Sequence, residues 1–276
     1  MIKVGIMQGR LSKPINGKIQ SFPKDTWREE FHLAKKIGFD LIEWVLDDDL
    51  TSNPIMDKEK FIEIKKIKEE TDVNINSICC DFFMNNSISK VSRNFKKENL
   101  QIFDFLINEA CPENNIKIIS LPLMKDESLK QEHLMNDYIN IFLKYQKNLK
   151  KNNLQVSIES DLGPLEFQFF LNKFDNKLIN VNYDMGNSAY FKFNVDEEFK
   201  NYGDIISNIH VKDCTPEDYT TELGKGNVNF EKTFSLIRKH NYKNNLILQA
   251  ARKDDEYLDC KNQLLFTKKI MNEKNL

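Results

Sequence analysis

Glu159, Asp184, His210 and Gln249 stand at the ends of four successive short apolar runs, Gln155 to Ser160, Leu178 to Tyr183, Ile205 to Val211 and Asn245 to Ala250. If those runs are neighbouring strands, two carboxylates, one imidazole and one carboxamide could converge on a single cation. Oxygen ligands with one nitrogen suit Mn²⁺ or Mg²⁺, with Co²⁺ or Zn²⁺ as alternatives, and the lack of a thiolate or a second nearby histidine argues against a structural zinc centre. An open catalytic site fits better. Each carboxylate taken alone could equally cap the helix that follows it. His210 is the distinctive member, because His32, His133 and His240 all fall in stretches of helical period.

Other polar residues share such strand-end positions. The second run, Leu41 to Val45, carries Glu43 and Trp44, and the third, Val73 to Cys80, is followed by Asp81. Arg10 and Arg252, just beyond the first and last runs, could hold a phosphate or carboxylate through paired hydrogen bonds. Trp44, with Trp27, Phe82 and Phe83 as weaker candidates, could give an apolar wall for the C–H face of a sugar, although aromatic residues are more often core. Asn187 is counted with the substrate-binding residues, as is Lys212, whose direction is left open between outward and into the mouth.

These positions matter only if a repeated strand-helix unit delivers them to one place. Two further runs, Ile2 to Met7 and Ile116 to Leu121, complete eight, and each run is followed by a stretch of helical period, such as Thr26 to Ile37 or His133 to Lys150. Units of about 34 residues are the arithmetic of a (β/α)₈ TIM barrel, whose sites lie at the C-terminal strand ends. A doubly wound sheet would show a glycine-rich turn after its first strand, but that turn reads Gln8-Gly9-Arg10-Leu11-Ser12. With no linker and no repeat, residues 1–276 are expected to form one barrel domain, its long first loop from Gly9 to Lys24 folding over the mouth.

Composition narrows the partners. The 40 Lys+Arg against 42 Asp+Glu give a net charge of −2, without the basic excess of a nucleic-acid binder. At 40% hydrophobic residues with 20 Phe, the chain can bury a large core. No apolar run approaches the ~20 residues of a membrane span. The five scattered cysteines point to a reducing cytoplasm, which is the expected location.

The motifs Gly38-Phe39-Asp40-Leu41-Ile42-Glu43, Ile158-Glu159 and Asp184-Met185-Gly186-Asn187 lie in the same order as in a known group, as do His210-Val211-Lys212-Asp213 and Leu223-Gly224-Lys225-Gly226-Asn227-Val228-Asn229-Phe230. Over nearly its whole length the chain resembles the xylose isomerase-like TIM barrels, which include sugar isomerases, sugar 3-epimerases, inosose dehydratases and type IV apurinic endonucleases. The resemblance implies one divalent cation held by Glu159, Asp184 and His210. It also implies proton transfer next to a carbonyl through an enediolate, on a small sugar or sugar phosphate, with Glu159 as base.

The fourth ligand departs from the group: a second Glu is replaced by Gln249, whose amide can still ligate but cannot act as a base. Proton return on the Glu159 face would favour aldose-ketose isomerisation; epimerisation needs another group, for which Glu43 is the candidate. The alternatives are a non-catalytic, sugar-binding barrel, and more remotely a phosphodiesterase acting on abasic DNA. Barrels of this group often pair, so a homodimer is a further expectation.

Overall fold

The computed structural model describes residues 2–253 and 255–276. The apolar runs become parallel strands β1 (Lys3–Met7), β2 (Leu41–Val45), β3 (Ser77–Cys79), β4 (Ile118–Leu123), β5 (Gln155–Ser160), β6 (Ile179–Asp184), β7 (Ile206–Val211) and β8 (Asn245–Leu248). They pair in sequence order, and β8 returns to β1 to close the barrel. Helices α1 (Trp27–Ile37), α2 (Phe61–Thr71), α3 (Lys97–Phe105), α4 (Glu132–Asn152), α5 (Pro164–Leu171), α6 (Met185–Tyr190), α7 (Val195–Tyr202), α8 (Phe230–Lys239) and α9 (Glu256–Lys274) connect and surround them. The closed eight-stranded parallel barrel with intervening helices is the (β/α)₈ fold expected from the strand-helix alternation.

The third strand is shorter than the apolar run that foretells it. Val73 and Ile75 are buried, but the chain before Ser77 is joined to its neighbours by an isolated bridge from Asn74 to Leu41 and by Asn76 O, which accepts from Lys117 N and Ile118 N, and not by a regular ladder. Burial alone therefore extended the run without a ladder to support it.

Alternation sorts the strand residues between two cores. Outward residues such as Ile42, Trp44, Val181 and Ile209 pack with Phe31, Phe103, Phe142 and Phe234 in the layer between sheet and helices. Burying one such aromatic stabilises by about 1.5–3 kcal/mol. Inward residues are unusually polar. Ser77 and Asn208 both donate to Glu43 Oε2, the latter at 2.7 Å, and Asn208 also donates to Asn182 Oδ1 at 2.9 Å. Deeper in the barrel, Ser157 and Ser207 donate to Asn180 Oδ1 at 2.7 and 2.6 Å. Met7, Val45, Cys79 and Ile247 form a small apolar cluster of their own. This network fixes the strand ends on which the site is built.

The first loop is anchored at its start by Glu30 of α1. This buried carboxylate accepts from Gly9 N (2.9 Å), Leu11 N (3.0 Å) and Ser12 Oγ (2.9 Å). Gly9 has φ of 85°, a conformation that glycine adopts without strain. Burial raises the Glu30 pKa to about 7, outweighing the three hydrogen bonds that lower it. Between the ordinary value of 4.5 and about 7 the folded chain therefore binds more protons than the unfolded one, and stability falls as pH rises through that window. The contribution is at most about 3 kcal/mol. Denaturant unfolding at pH 5 and pH 7 should show this slope, and Glu30→Gln should flatten it.

Candidate active site at the barrel mouth

At the C-terminal end of the barrel a cavity of about 230 Å³ is lined by Arg10, Gln20, Asp81, Glu159, Asp184, Lys212 and Gln249, among others. Beside it, ligand atoms of Glu159, Asp184 and His210 all lie within 4.8 Å of one another. Three of the four expected metal-binding residues, those from β5, β6 and β7, are thus brought together.

His210 is fully buried. Its Nε2 meets Glu43 Oε1 at 2.6 Å, while Nδ1 lies 3.4 Å from Glu159 Oε2. Burial is the largest influence on the imidazole and pushes its pKa down, but the carboxylates of Glu43 and Glu159 more than offset it and raise the value to about 10. A ring held this way keeps one nitrogen for Glu43 and presents the other to the cluster.

Glu159 Oε2 accepts from Asn182 Nδ2 at 2.8 Å, and its Oε1 accepts from Asn187 Nδ2. Asp184 both caps and faces the site: its Oδ1 accepts from Asn187 N at 2.8 Å at the start of α6, and its Oδ2 lies 3.2 Å from Lys212 Nζ. Lys212 also donates to Asn187 Oδ1 at 2.7 Å. The direction left open for Lys212 is resolved by alternation, since residues two apart share a face and Lys212 follows His210 inward. Gly186 is required here, because a Cβ on it would stand 2.7 Å from Lys212 Cγ.

The spacing between His210-x-Lys212-Asp213 and the following Leu-Gly-x-Gly has a physical reason. The buried Asp213 carboxylate accepts from Cys214, Gly224, Gly226 and Val228 backbone N–H groups at 2.9–3.0 Å, which folds the loop after β7 around one side chain. That loop supplies Tyr219, over whose ring Lys212 Nζ sits at 3.9 Å.

Two sequence expectations need correction. Trp44 is not a wall of the mouth: because Glu43 points inward its neighbour must point outward, and Trp44 is fully buried against Phe22, Trp27 and Phe31, its Nε1 donating to Asn53 Oδ1 at 2.9 Å. Trp27, Phe82 and Phe83 are likewise core. Glu43, considered as a second base, is fully buried beneath His210 and is not among the cavity-lining residues. Its carboxylate is engaged by Ser77, Asn208 and His210. A side chain so placed orients the imidazole and does not touch a molecule in the cavity.

Gln249 lines the cavity. Its Nε2 donates to Gln20 Oε1 at 3.0 Å, whereas its buried Oε1 has no hydrogen-bond partner among the described residues. The donor set suits a hard divalent cation: two carboxylates, one imidazole nitrogen and an unsatisfied amide oxygen.

Arg10 and Arg252 converge on the first loop. Both donate to Ile19 O, Arg252 at 3.0 Å, and Arg10 also reaches Gln20 Oε1 at 3.2 Å. Burial, then the neighbouring Arg252, lowers the Arg10 pKa to about 10, so it stays charged at neutral pH. Among the described residues neither guanidinium forms an ion pair with a carboxylate, and the Nε of each is buried without a partner. Gln20 is a site residue that the sequence did not announce, since a loop glutamine carries no periodic signal.

A closed eight-stranded parallel barrel with an acidic and histidine cluster at its C-terminal mouth defines the class by fold: the chain is a (β/α)₈ TIM barrel. Within that class it is similar to the candidate L-ribulose-5-phosphate 3-epimerase SgbU of Haemophilus influenzae, 24% identical over 92% of this chain and 90% of that one. It is also similar to L-ribulose-5-phosphate 3-epimerase UlaE of Escherichia coli (strain SMS-3-5), 23% identical over 79% of this chain and 80% of the relative. A Ribonuclease HII of Methanococcus maripaludis (strain C6) is 28% identical over 59% of this chain and 68% of its own, a stretch too short to hold every strand of the barrel. Among solved structures, L-ribulose 3-epimerase superposes with a TM-score of 0.76 at 14% identity, over 100% of this chain and 96% of that one. IOLI protein with a bound zinc atom superposes with a TM-score of 0.74 at 13% identity, over 99% and 98%. No family model matches the sequence.

Proposed function

We propose that this protein is a metal-dependent 3-epimerase of a small ketose phosphate, acting by proton transfer next to the carbonyl through an enediolate. The observation that carries the reading is the convergence of Glu159, Asp184 and His210 within 4.8 Å beside a cavity reached by Arg10. The similarity to L-ribulose-5-phosphate 3-epimerases over most of the chain supports the substrate class.

Glu159, Asp184, His210 Nδ1 and Gln249 Oε1 would hold one divalent cation, of which Mn²⁺ or Mg²⁺ best suits the oxygen-rich set. When bound, it supplies a Lewis acid for the substrate carbonyl and adjacent hydroxyl. The protein does the rest. Glu159, oriented by Asn182 and Asn187, takes the proton from the carbon beside the carbonyl. Lys212, between Asp184 and Asn187, offers an ammonium to the developing oxyanion. Arg10 and Arg252 hold the phosphate in place of the Ile19 carbonyl, and the first loop crossing the mouth excludes water from the reacting carbon.

Gln249 supports one other reading. With Glu159 as sole proton carrier the proton returns to the same face, giving aldose-ketose isomerisation. An assay with Mn²⁺ on L-ribulose and L-ribulose 5-phosphate separates these outcomes. Inversion at C3 is expected, abolished by EDTA and restored by Mn²⁺, with the phosphorylated ketose preferred. Arg252→Met should raise KM for the phosphorylated substrate by about 10- to 100-fold, the worth of one charge-assisted contact, and leave the unphosphorylated one unchanged. An aldose product would favour the isomerase.

A further inference from the structure

Epimerisation needs a proton-transfer group on each side of the reacting carbon, and Gln249 removes the carboxyl that the resemblance places on the last strand. A carboxyl stands one amide away. Gln20 accepts from Gln249 Nε2 at 3.0 Å through its Oε1 and donates to Asp81 Oδ2 at 2.6 Å through its Nε2. Asp81 opens the short turn Asp81–Met84 that follows β3, and it lines the same cavity as Glu159, which stands near the end of β5. No other part of the proposed mechanism uses it.

Resting on the epimerase reading, we propose that Asp81 is the second proton-transfer residue, serving the face of the reacting carbon turned away from Glu159. In one direction the Glu159 carboxylate takes the C3 proton and the C–H electron pair moves into the enediolate. A new C–H bond then forms on the other face with the proton of the Asp81 carboxylic acid, whose O–H bond breaks. Glu159 ends protonated and Asp81 ionised; the reverse direction exchanges these roles, and exchange with solvent resets both. No redox partner is involved.

The surroundings of Asp81 suit a group that must carry and release a proton. Burial is the largest influence and raises its pKa to about 6, helped by the charge of Glu159 and opposed by hydrogen bonds from Cys79 and Gln20 and by His210. Near neutrality both protonation states are populated, as a residue that is acid in one direction and base in the other requires. Arg10 also faces it, and the buried Cys79 thiol, its pKa pushed well above the ordinary value by burial, stays protonated and donates to Oδ1 at 3.3 Å.

The test compares wild type with Asp81→Asn, both loaded with Mn²⁺, on L-ribulose 5-phosphate and its C3 epimer in D₂O. Two quantities are read: deuterium at C3 of the recovered starting ketose, and the inverted product. In Asp81→Asn, inversion should fall by about 10²–10⁴-fold. Exchange should persist for the epimer whose C3–H faces Glu159, Mn²⁺ affinity should be unchanged, and Asp81→Glu should restore part of the inversion. Inversion in Asp81→Asn close to wild type overturns the assignment. Joint loss of exchange, inversion and Mn²⁺ binding also overturns it, marking Asp81 as structural. If the wild type itself neither exchanges nor inverts any ketose phosphate, the epimerase reading falls, and the assignment with it.

Discussion

Glu159→Gln should lower kcat by about 10²–10⁴-fold while weakening Mn²⁺ binding far less. The amide keeps the size of the side chain and one oxygen for the cation, and it loses the ability to accept a proton. Asn182 and Asn187 now donate to the two carboxylate oxygens, and one of them must turn its amide to meet the new NH₂ group. Steady-state kinetics beside isothermal titration with Mn²⁺ separates the two effects. Equal losses in turnover and affinity would reduce Glu159 to a ligand and remove the base from the mechanism. His210→Ala is the contrast, because it removes a donor outright and should act first on affinity.

Glu43→Gln carries the second large effect, and its sign follows from tautomers. In the wild type Glu43 accepts from His210 Nε2, from Ser77 and from Asn208 in a spot with no solvent exposure. A glutamine can still accept from Ser77 and Asn208 through its oxygen, but its NH₂ then faces Nε2 and forces that nitrogen to accept. The one proton of the neutral ring that a cation requires is then left on Nδ1, the nitrogen that would hold the cation. Mn²⁺ affinity should fall by about 10- to 100-fold, the usual cost of losing a partner behind a ligating histidine. Glu43→Ala should instead destabilise the fold by about 3–5 kcal/mol, by leaving the imidazolium buried without its partner. Thermal unfolding and Mn²⁺ titration of both variants distinguish orientation from stability. Glu43→Gln with unchanged metal affinity would refute the orienting role.

Much of the fold was legible because parallel strands buried on both faces read as short apolar runs, and helices read as longer stretches of a different period. Glu159, Asp184 and His210 were legible for a related reason: a barrel brings strand ends together, so polar residues at the ends of successive runs must meet. Trp44 was misread because its position at a strand end was weighed without its parity, which is opposite to that of Glu43. The same parity, applied to His210 and Lys212, sends the lysine inward, whereas Asp81 reaches the mouth from the short turn after β3, where strand alternation has ended. Glu43 has the right parity and the wrong depth; depth along the barrel axis depends on strand stagger, which no single strand records. Gln20, and the meeting of Arg10 with Arg252 at Ile19, depend on the path of an irregular loop.

The central claim is that a divalent cation and Glu159 labilise the proton at C3 of a ketose phosphate. Incubation of the Mn²⁺-loaded protein with L-ribulose 5-phosphate in D₂O, followed by removal of the metal and NMR of the recovered sugars, reads the labelled carbon directly. The account predicts deuterium at C3 in both the starting ketose and its C3 epimer, absent after EDTA treatment, with inversion lost in Glu159→Gln. Deuterium confined to C1 with formation of an aldose, or C3 labelling undiminished by EDTA, would contradict it.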